Sequence, residues 1–363
     1  MLEELTPLLR KLSMGENLSS DEARRALNGV AREDDIGYHY LALTFGIMAK
    51  GPTAAELHGF CQSFDDRSAK LDVKVAPDQI TDLSGTGGAP LKTFNISTSA
   101  SFVVAGSGLY VAKQAFRSFT GLTGSLDVFA EFGIDIPVSG GDPKIVQETL
   151  EKVGICPYYY PAFTQGFVNR VRFIQKMREI GITFLTPYHL TAFAYAPLRM
   201  TGRVYGVFSE KYQEVLARLL RKLGIERGMT VHGVGGLDEV STIGTTKIWE
   251  FQGDEFKEYT ISPPDLGLKQ AEYEDIKAVS REQNIVDFLR VVYGAEQGPK
   301  RDIVLANAAA SLYVTGRVKD LKDGVTEGAS IVDDGKASGK LEELIAFRGS
   351  PEKLDEWKKK AGI

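Results

Sequence analysis

Three clusters of glycine, at 85–88, 121–124 and 233–236, constrain this chain more than any other feature of its sequence. The first runs out of an extended segment ending in Asp82-Leu83-Ser84, and residues 97–106 after it read as a helix. The second follows a short buried strand over 109–112 and leads into a helix ending near Gly133. The third opens from an extended stretch over 229–232. Between them, 134–138 reads as extended, and Asp142-Pro143 opens a helix that Gly154 ends. Strand and helix alternating in this way predict an α/β fold with a mainly parallel central sheet. In such sheets ligands bind in loops at the carboxyl ends of the strands, where the first two glycine loops fall.

The first seventy residues carry no strand-like alternation. Ser19 with Glu22, and Thr53 with Glu56, have the spacing of a helix-capping box, so 1–70 is expected to be a small helical domain. Residues 71–363 form the α/β domain, with part of 163–190 rejoining the helices. Alternation over 246–251 and 256–261 around Gln252-Gly253-Asp254 predicts a hairpin. Further helices are expected at 210–223, 281–293, 302–315 and 339–347.

Charge and composition exclude several functions. With 43 basic and 48 acidic side chains the net charge is −5, which gives no footprint for wrapping nucleic acid. No apolar run approaches the roughly 20 residues of a membrane helix. The opening MLEELTPLLRKL is an amphipathic helix containing acids rather than a signal sequence, so a cytoplasmic protein is expected. Cys61 and Cys156 read as buried reduced thiols, and with four scattered histidines they make no zinc site.

The glycine loops carry the chemistry. In Gly85-Thr86-Gly87-Gly88 the backbone N–H groups can turn toward one point, because no Cβ obstructs them. Asn95, Ser97 and Thr98 begin the next helix, whose N-terminus adds unpaired donors and a partial positive charge. Together they suit a phosphate; the spacing is neither a Walker A loop nor a dinucleotide fingerprint. Lys113 directly after a buried strand, with Arg117, Ser118, Thr120, Thr123 and Ser125 beyond it, suits a second phosphate. Asp238-Glu239, after the third cluster, offers the adjacent carboxylates through which magnesium binds alongside substrate phosphates.

Several ordered motifs resemble the anthranilate phosphoribosyltransferase family. They are Asp82 to Gly88, Thr93-Phe94-Asn95-Ile96-Ser97-Thr98, Val111-Ala112-Lys113, Arg117-Ser118 and Gly124-Ser125-Leu126-Asp127-Val128. Further on come His232-Gly233, Gly236-Leu237-Asp238-Glu239-Val240-Ser241, Asp265-Leu266-Gly267-Leu268, Asn307-Ala308-Ala309 and Leu312-Tyr313. The resemblance spans about residues 5 to 347. It implies a helical domain hinged to an α/β domain of the nucleoside phosphorylase and phosphoribosyltransferase kind, in a homodimer. The implied reaction moves ribose-5-phosphate from phosphoribosyl pyrophosphate (PRPP) to anthranilate, a step of tryptophan biosynthesis, and releases pyrophosphate. By that resemblance Gly85, Thr86, Gly87, Gly88, Asn95, Ser97, Thr98, Lys113 and Ser125 would hold PRPP. Asp238 and Glu239 would hold Mg²⁺, and Phe116, Arg117 and Arg178 would face a small aromatic acceptor.

The departures gather on the acceptor side. Where the family has Lys-His-Gly-Asn-Arg-Ser, this chain has Lys113-Gln114-Ala115-Phe116-Arg117-Ser118. The family's His-Pro-Ala-Met aligns near Thr164-Gln165-Gly166-Phe167, and its Gly-Pro-Leu-x-Asn-Pro stretch is missing around 189–197. Spacing does not choose among Arg170, Arg172 and Arg178 for the carboxylate-pairing arginine. The aspartate after the double glycine is Ala89. Two alternatives therefore stand beside the anthranilate reading. One is a transferase or phosphorylase with a different acceptor or a nucleoside substrate; the other is a non-catalytic relative that binds a ligand or nucleic acid.

Overall fold

The computed structural model describes residues 2–31, 37–116 and 123–363. Its centre is an extended run broken at Asp82 into β1 (Ile80–Thr81) and β2 (Leu83–Gly85). β1 pairs in parallel with β3 (Tyr110–Gln114), which pairs in parallel with β4 (Ile155–Tyr158). On the other side β2 pairs in parallel with β5 (Gly202–Gly206), followed by β6 (Arg227–Gly233). β7 (Thr246–Gln252) and β8 (Glu255–Ile261) complete that sheet as an antiparallel hairpin with Gly253-Asp254 at its tip. The fold is therefore α/β with a mainly parallel centre and an antiparallel edge. The chain leaves the central run to one side for β3 and β4, then crosses to the other for β5. Such a reversal opens a crevice at the strand carboxyl ends.

Successive side chains of these strands serve two different cores. Val111, Ile155 and Val204 face one, with the helices Ile96–Gly106, Arg281–Val292, Pro299–Val314, Leu321–Asp333 and Lys336–Arg348. Ala112, Cys156 and Tyr205 face the other, which also holds Leu27, Leu43, Phe60 and Phe64 of the N-terminal helices. This is the two-residue period of a sheet covered on both faces. The chain between β4 and β5 lies on the N-terminal helices. Ala69 donates to the Phe163 carbonyl at 3.0 Å, Tyr40 meets Phe173 edge-on, and Phe64 meets Tyr188.

Local signals hold at several helix ends. Thr53 and Glu56 form a reciprocal capping box, and the Asp142 carboxylate accepts the Lys144 N–H ahead of Pro143. Gly154 ends that helix at φ +86°. One expectation fails: 134–138 forms no strand, although Ile134 and Ile136 are buried. Those residues pack against the first core, and their backbone runs beside no sheet edge. Among the described residues no helix is long and apolar enough to cross a membrane.

Candidate active site

A cleft of about 560 Å³ opens at the carboxyl ends of β2, β3 and β6. Every candidate phosphate, metal and acceptor residue lines it except Arg117, Ser118 and Thr120, which lie outside the described residues. The side chains of Arg170 and Arg172 also lie outside them. At one end, Gly87 and Gly88 take φ of +68° and +79°, a left-handed conformation that only glycine adopts without strain. The loop folds back along the cleft, its Thr86 N–H donating to the Gly206 carbonyl at 2.8 Å and its Gly87 N–H to Asp238. Asn95 stands just before the helix Ile96–Gly106, its own N–H held by Asn284 Oδ1 at 2.9 Å. Its Nδ2 is buried without a partner, a donor set aside beside a helix N-terminus. Thr86 Oγ1 accepts the Phe208 N–H at 3.0 Å and so ties this loop to the one after β5. Ser125 Oγ accepts the Phe116 N–H at 3.2 Å.

Charge is concentrated here. Lys113 is only 3% exposed. Its Nζ donates to the Leu83 carbonyl and, at 3.3 Å, to Ser97 Oγ. Burial lowers its pKa from the ordinary lysine value, and Asp82 and Glu239 pull the other way. Asp238 Oδ2 accepts the Gly87 N–H at 2.8 Å, and Glu239 accepts the Ser97 N–H. Burial pushes both carboxyls above the ordinary range, and the Asp238 charge pushes Glu239 further. The charges of Lys92 and Lys113 pull Asp238 the other way, and that of Lys113 does the same to Glu239, without outweighing burial. Two adjacent oxygen ligands open to a phosphate-type cradle fit a divalent cation that completes its shell with substrate oxygens and water. They are too few to hold one alone, and no group of three or more ligating side chains occurs among the described residues.

The other end of the cleft is aromatic. Phe116 is buried, its ring 4.0 Å from that of Phe193 and 4.9 Å from that of Tyr159, centre to centre. Ile174, Leu185 and Tyr188 extend this wall, and the exposed Arg178 stands at its rim. His189 Nδ1 accepts the Thr186 N–H at 3.0 Å, so its ring proton sits on Nε2. Burial lowers its pKa and keeps the ring neutral.

Several residues that position the site were not among its sequence candidates. Arg203, 1% exposed, donates to Asp82 Oδ2 at 2.7 Å, to the Ala194 carbonyl at 2.6 Å and to the Phe193 carbonyl. One guanidinium thus joins the strand break under the glycine loop to the aromatic wall. Asn307, from a resemblance motif, clamps Val240 from both sides: its Oδ1 accepts the Val240 N–H and its Nδ2 donates to the Val240 carbonyl, each at 2.9 Å. That fixes the backbone just past Glu239. Gly206 lets the carboxylate loop approach, since a Cβ there would lie 1.7 Å from the Asp238 carbonyl oxygen.

Comparison with known proteins agrees with this geometry. The model of the glycosyl transferase family a/b domain matches residues 77–338. The anthranilate phosphoribosyltransferase of Acetivibrio thermocellus is 36% identical over 350 residues, covering 95% of this chain and 97% of that protein. The one from Methanosarcina acetivorans is 36% identical over 343 residues, covering 93% and 88%. The crystal structure of the Thermus thermophilus enzyme of that name superposes with a TM-score of 0.83 at 28% identity, covering 93% and 98% of the two chains. The Saccharomyces cerevisiae enzyme, solved in complex with PRPP and Mg, shares the fold at 22% identity and a TM-score of 0.81, covering 94% and 97%. With glycine loops, lysine and paired carboxylates meeting in one cleft, and similarity of this extent along nearly the whole chain, the protein belongs to the anthranilate phosphoribosyltransferase family.

Proposed function

We propose that the chain transfers ribose-5-phosphate from PRPP to an aromatic amine, with anthranilate as the acceptor indicated by its relatives. The observation that carries this reading is the meeting, in one cleft, of a glycine loop beside a helix N-terminus, a buried lysine, adjacent carboxylates and an aromatic wall. The amine lone pair forms a C–N bond at the ribose carbon as the C–O bond to pyrophosphate breaks. The electron pair of that bond leaves with pyrophosphate, and an amine hydrogen leaves as a proton. Such a step asks for little covalent chemistry from the protein. It needs stabilisation of the charge growing on the leaving group and alignment of the amine.

In this reading Gly85, Thr86, Gly87, Gly88, Asn95, Ser97, Thr98 and Ser125 form the phosphate cradle, and Lys113 balances the charge of the leaving group. Asp238 and Glu239 hold Mg²⁺, which when bound neutralises pyrophosphate oxygens. Phe116 and Arg178 face the acceptor, the ring as a wall and the guanidinium as a partner for a carboxylate at the rim. The two cysteines are buried and free, and burial raises both thiol pKa values, as suits a cytoplasmic protein. Tyr38, Phe45 and Ile180 are exposed on the helical part, an apolar surface suited to a second copy of the chain in a homodimer.

The test is to mix protein, Mg²⁺, PRPP and anthranilate and follow the loss of anthranilate fluorescence. Turnover is expected; none with anthranilate or any other aromatic amine sinks the reading. Growth of a tryptophan auxotroph carrying this chain tests the pathway in the same way.

A further inference from the structure

Lys92 stands at the far end of the first glycine loop, and its main chain is held from outside the cleft. The Tyr273 hydroxyl accepts the Lys92 N–H at 3.2 Å and donates to the Lys92 carbonyl at 3.1 Å. The Ala278 N–H donates to the same carbonyl at 2.9 Å, and Thr93 bridges to Lys277 just beyond. The side chain runs the other way. It lines the cleft, and its Nζ reaches back three residues to donate to the Ala89 carbonyl. Burial raises the Asp238 carboxyl, and the Lys92 charge works against that rise, so the ammonium acts on the carboxylate loop across the cleft. Ala89, beneath it, brings no carboxylate of its own.

Charge accounting gives this ammonium a use. Among the described residues that line the cleft, the lysines and arginines are Lys92, Lys113 and Arg178. Arg178 stands at the rim of the aromatic end. The charge of a magnesium ion held by Asp238 and Glu239 is cancelled by those two carboxylates. Lys113 alone would then face a diphosphate that leaves with several negative charges, in a cleft where a lowered dielectric strengthens every uncompensated one. A second cation near the carboxylate loop closes that gap, and Lys92 is the one in place. A lysine ammonium carries three N–H donors, so it can keep the Ala89 carbonyl and take a phosphate oxygen at once.

We infer that Lys92 is a second cation of the donor site, its Nζ binding an oxygen of the diphosphate beside the metal position at Asp238 and Glu239. This assignment rests on the transferase reading of the cleft. Because the same ammonium holds the Ala89 carbonyl, it ties the diphosphate to the glycine loop, and the Tyr273 clamp on the Lys92 main chain is the fixed point of that tie.

The test is calorimetry in the presence of Mg²⁺ with three probes: PRPP, inorganic pyrophosphate and ribose 5-phosphate. Lys92→Gln keeps an N–H donor for the Ala89 carbonyl and removes the charge. It is expected to weaken PRPP and pyrophosphate binding about twentyfold, the worth of one hydrogen bond to a charged group, and to leave ribose 5-phosphate unchanged. Lys92→Arg restores the charge and is expected to stay within about threefold of the wild type for PRPP and pyrophosphate. The thermal midpoint of each variant reports that the fold is intact. Unchanged pyrophosphate affinity in Lys92→Gln, or an equal loss in Lys92→Arg, overturns the assignment. So does a loss confined to PRPP and ribose 5-phosphate, which would place Lys92 at the other phosphate. Turnover separates the two readings. A wild type that transfers ribose phosphate, with Lys92→Gln binding pyrophosphate as tightly, overturns only the role of Lys92. A wild type that binds pyrophosphate through Lys92 and transfers nothing overturns only the transferase, and one that binds neither PRPP nor pyrophosphate overturns both.

Discussion

The end of the cleft proposed for the donor is built from backbone and fixed charge: left-handed glycines, a helix N-terminus, a buried lysine and two carboxylates. The end proposed for the acceptor is built from side chains alone, a cluster of rings with one arginine at its rim. Backbone geometry is hard to alter without losing the loop, so the glycines of the donor end keep the pattern of the family, although Ala89 stands where the family has aspartate. Ring shape changes with a single substitution, and this is where Phe116 and Gln114 depart from it. Under the proposed function, the difference teaches that the framework carries the leaving-group chemistry and what is mounted on it chooses the acceptor.

The sharpest way to break that division is to remove the carboxylates. Asp238→Ala with Glu239→Ala is expected to lower kcat/KM for PRPP by about a thousandfold, a loss of several kcal/mol of charge stabilisation. Chelating Mg²⁺ in the wild type should match it, and anthranilate binding measured without PRPP should not move. Near-normal kinetics in the double variant would remove the metal role. Next in size is Gly206→Ala, whose Cβ would collide with the Asp238 carbonyl. Backbone cannot yield as a side chain can, so a stability loss of about 3 kcal/mol is expected from the denaturant midpoint, with weaker PRPP binding. An unchanged midpoint would show that the carboxylate loop is free to move.

Phe116→Leu probes the opposite end. It keeps bulk and removes the ring contacts with Phe193 and Tyr159, worth about 1 kcal/mol beyond burial. The expected result is a roughly fivefold rise in KM for the acceptor, from about 1 kcal/mol of lost ring contact, with KM for PRPP unchanged. Equal rises in both would mean that the two ends are not separable. The smallest effect is on pH dependence. Burial lowers the Lys113 pKa, so its charge is lost at a lower pH than that of an exposed lysine. The cation is complete below the lowered pKa and fades as pH rises through it. KM for PRPP should therefore climb on the alkaline side before the ordinary lysine range, while acceptor KM stays flat. Profiles that rise together would count against a special role for Lys113.

The same contrast explains what could be read from sequence. Most of the cradle is local: Gly85 to Thr98 is one continuous stretch, to which the next loop adds Ser125, and the glycines and the helix start announce themselves in order. The carboxylate pair is also contiguous. The acceptor wall is drawn from separate segments, including Phe116, Tyr159, Ile174, Leu185 and Phe193, and each of these apolar residues looks like ordinary core when read alone. Arg203 with Asp82, and Asn307 with Val240, pair across 121 and 67 residues, a range over which no periodicity speaks. β4 gives a weak sequence signal because Pro157 sits inside it, a residue that argues against a central strand. β4 is an edge strand with a neighbour on one side only, where a missing N–H is tolerated.

The reach of Arg203 has a consequence for how such a protein can change over time. Its guanidinium, like Nε2 of Gln114, grips carbonyl oxygens of residues 193–195, which any amino acid at those positions would supply. The wall can exchange its side chains while its main chain stays aligned with the glycine loop. New acceptors can thus be tried on a lineage of this fold one substitution at a time, without the donor half having to be rebuilt.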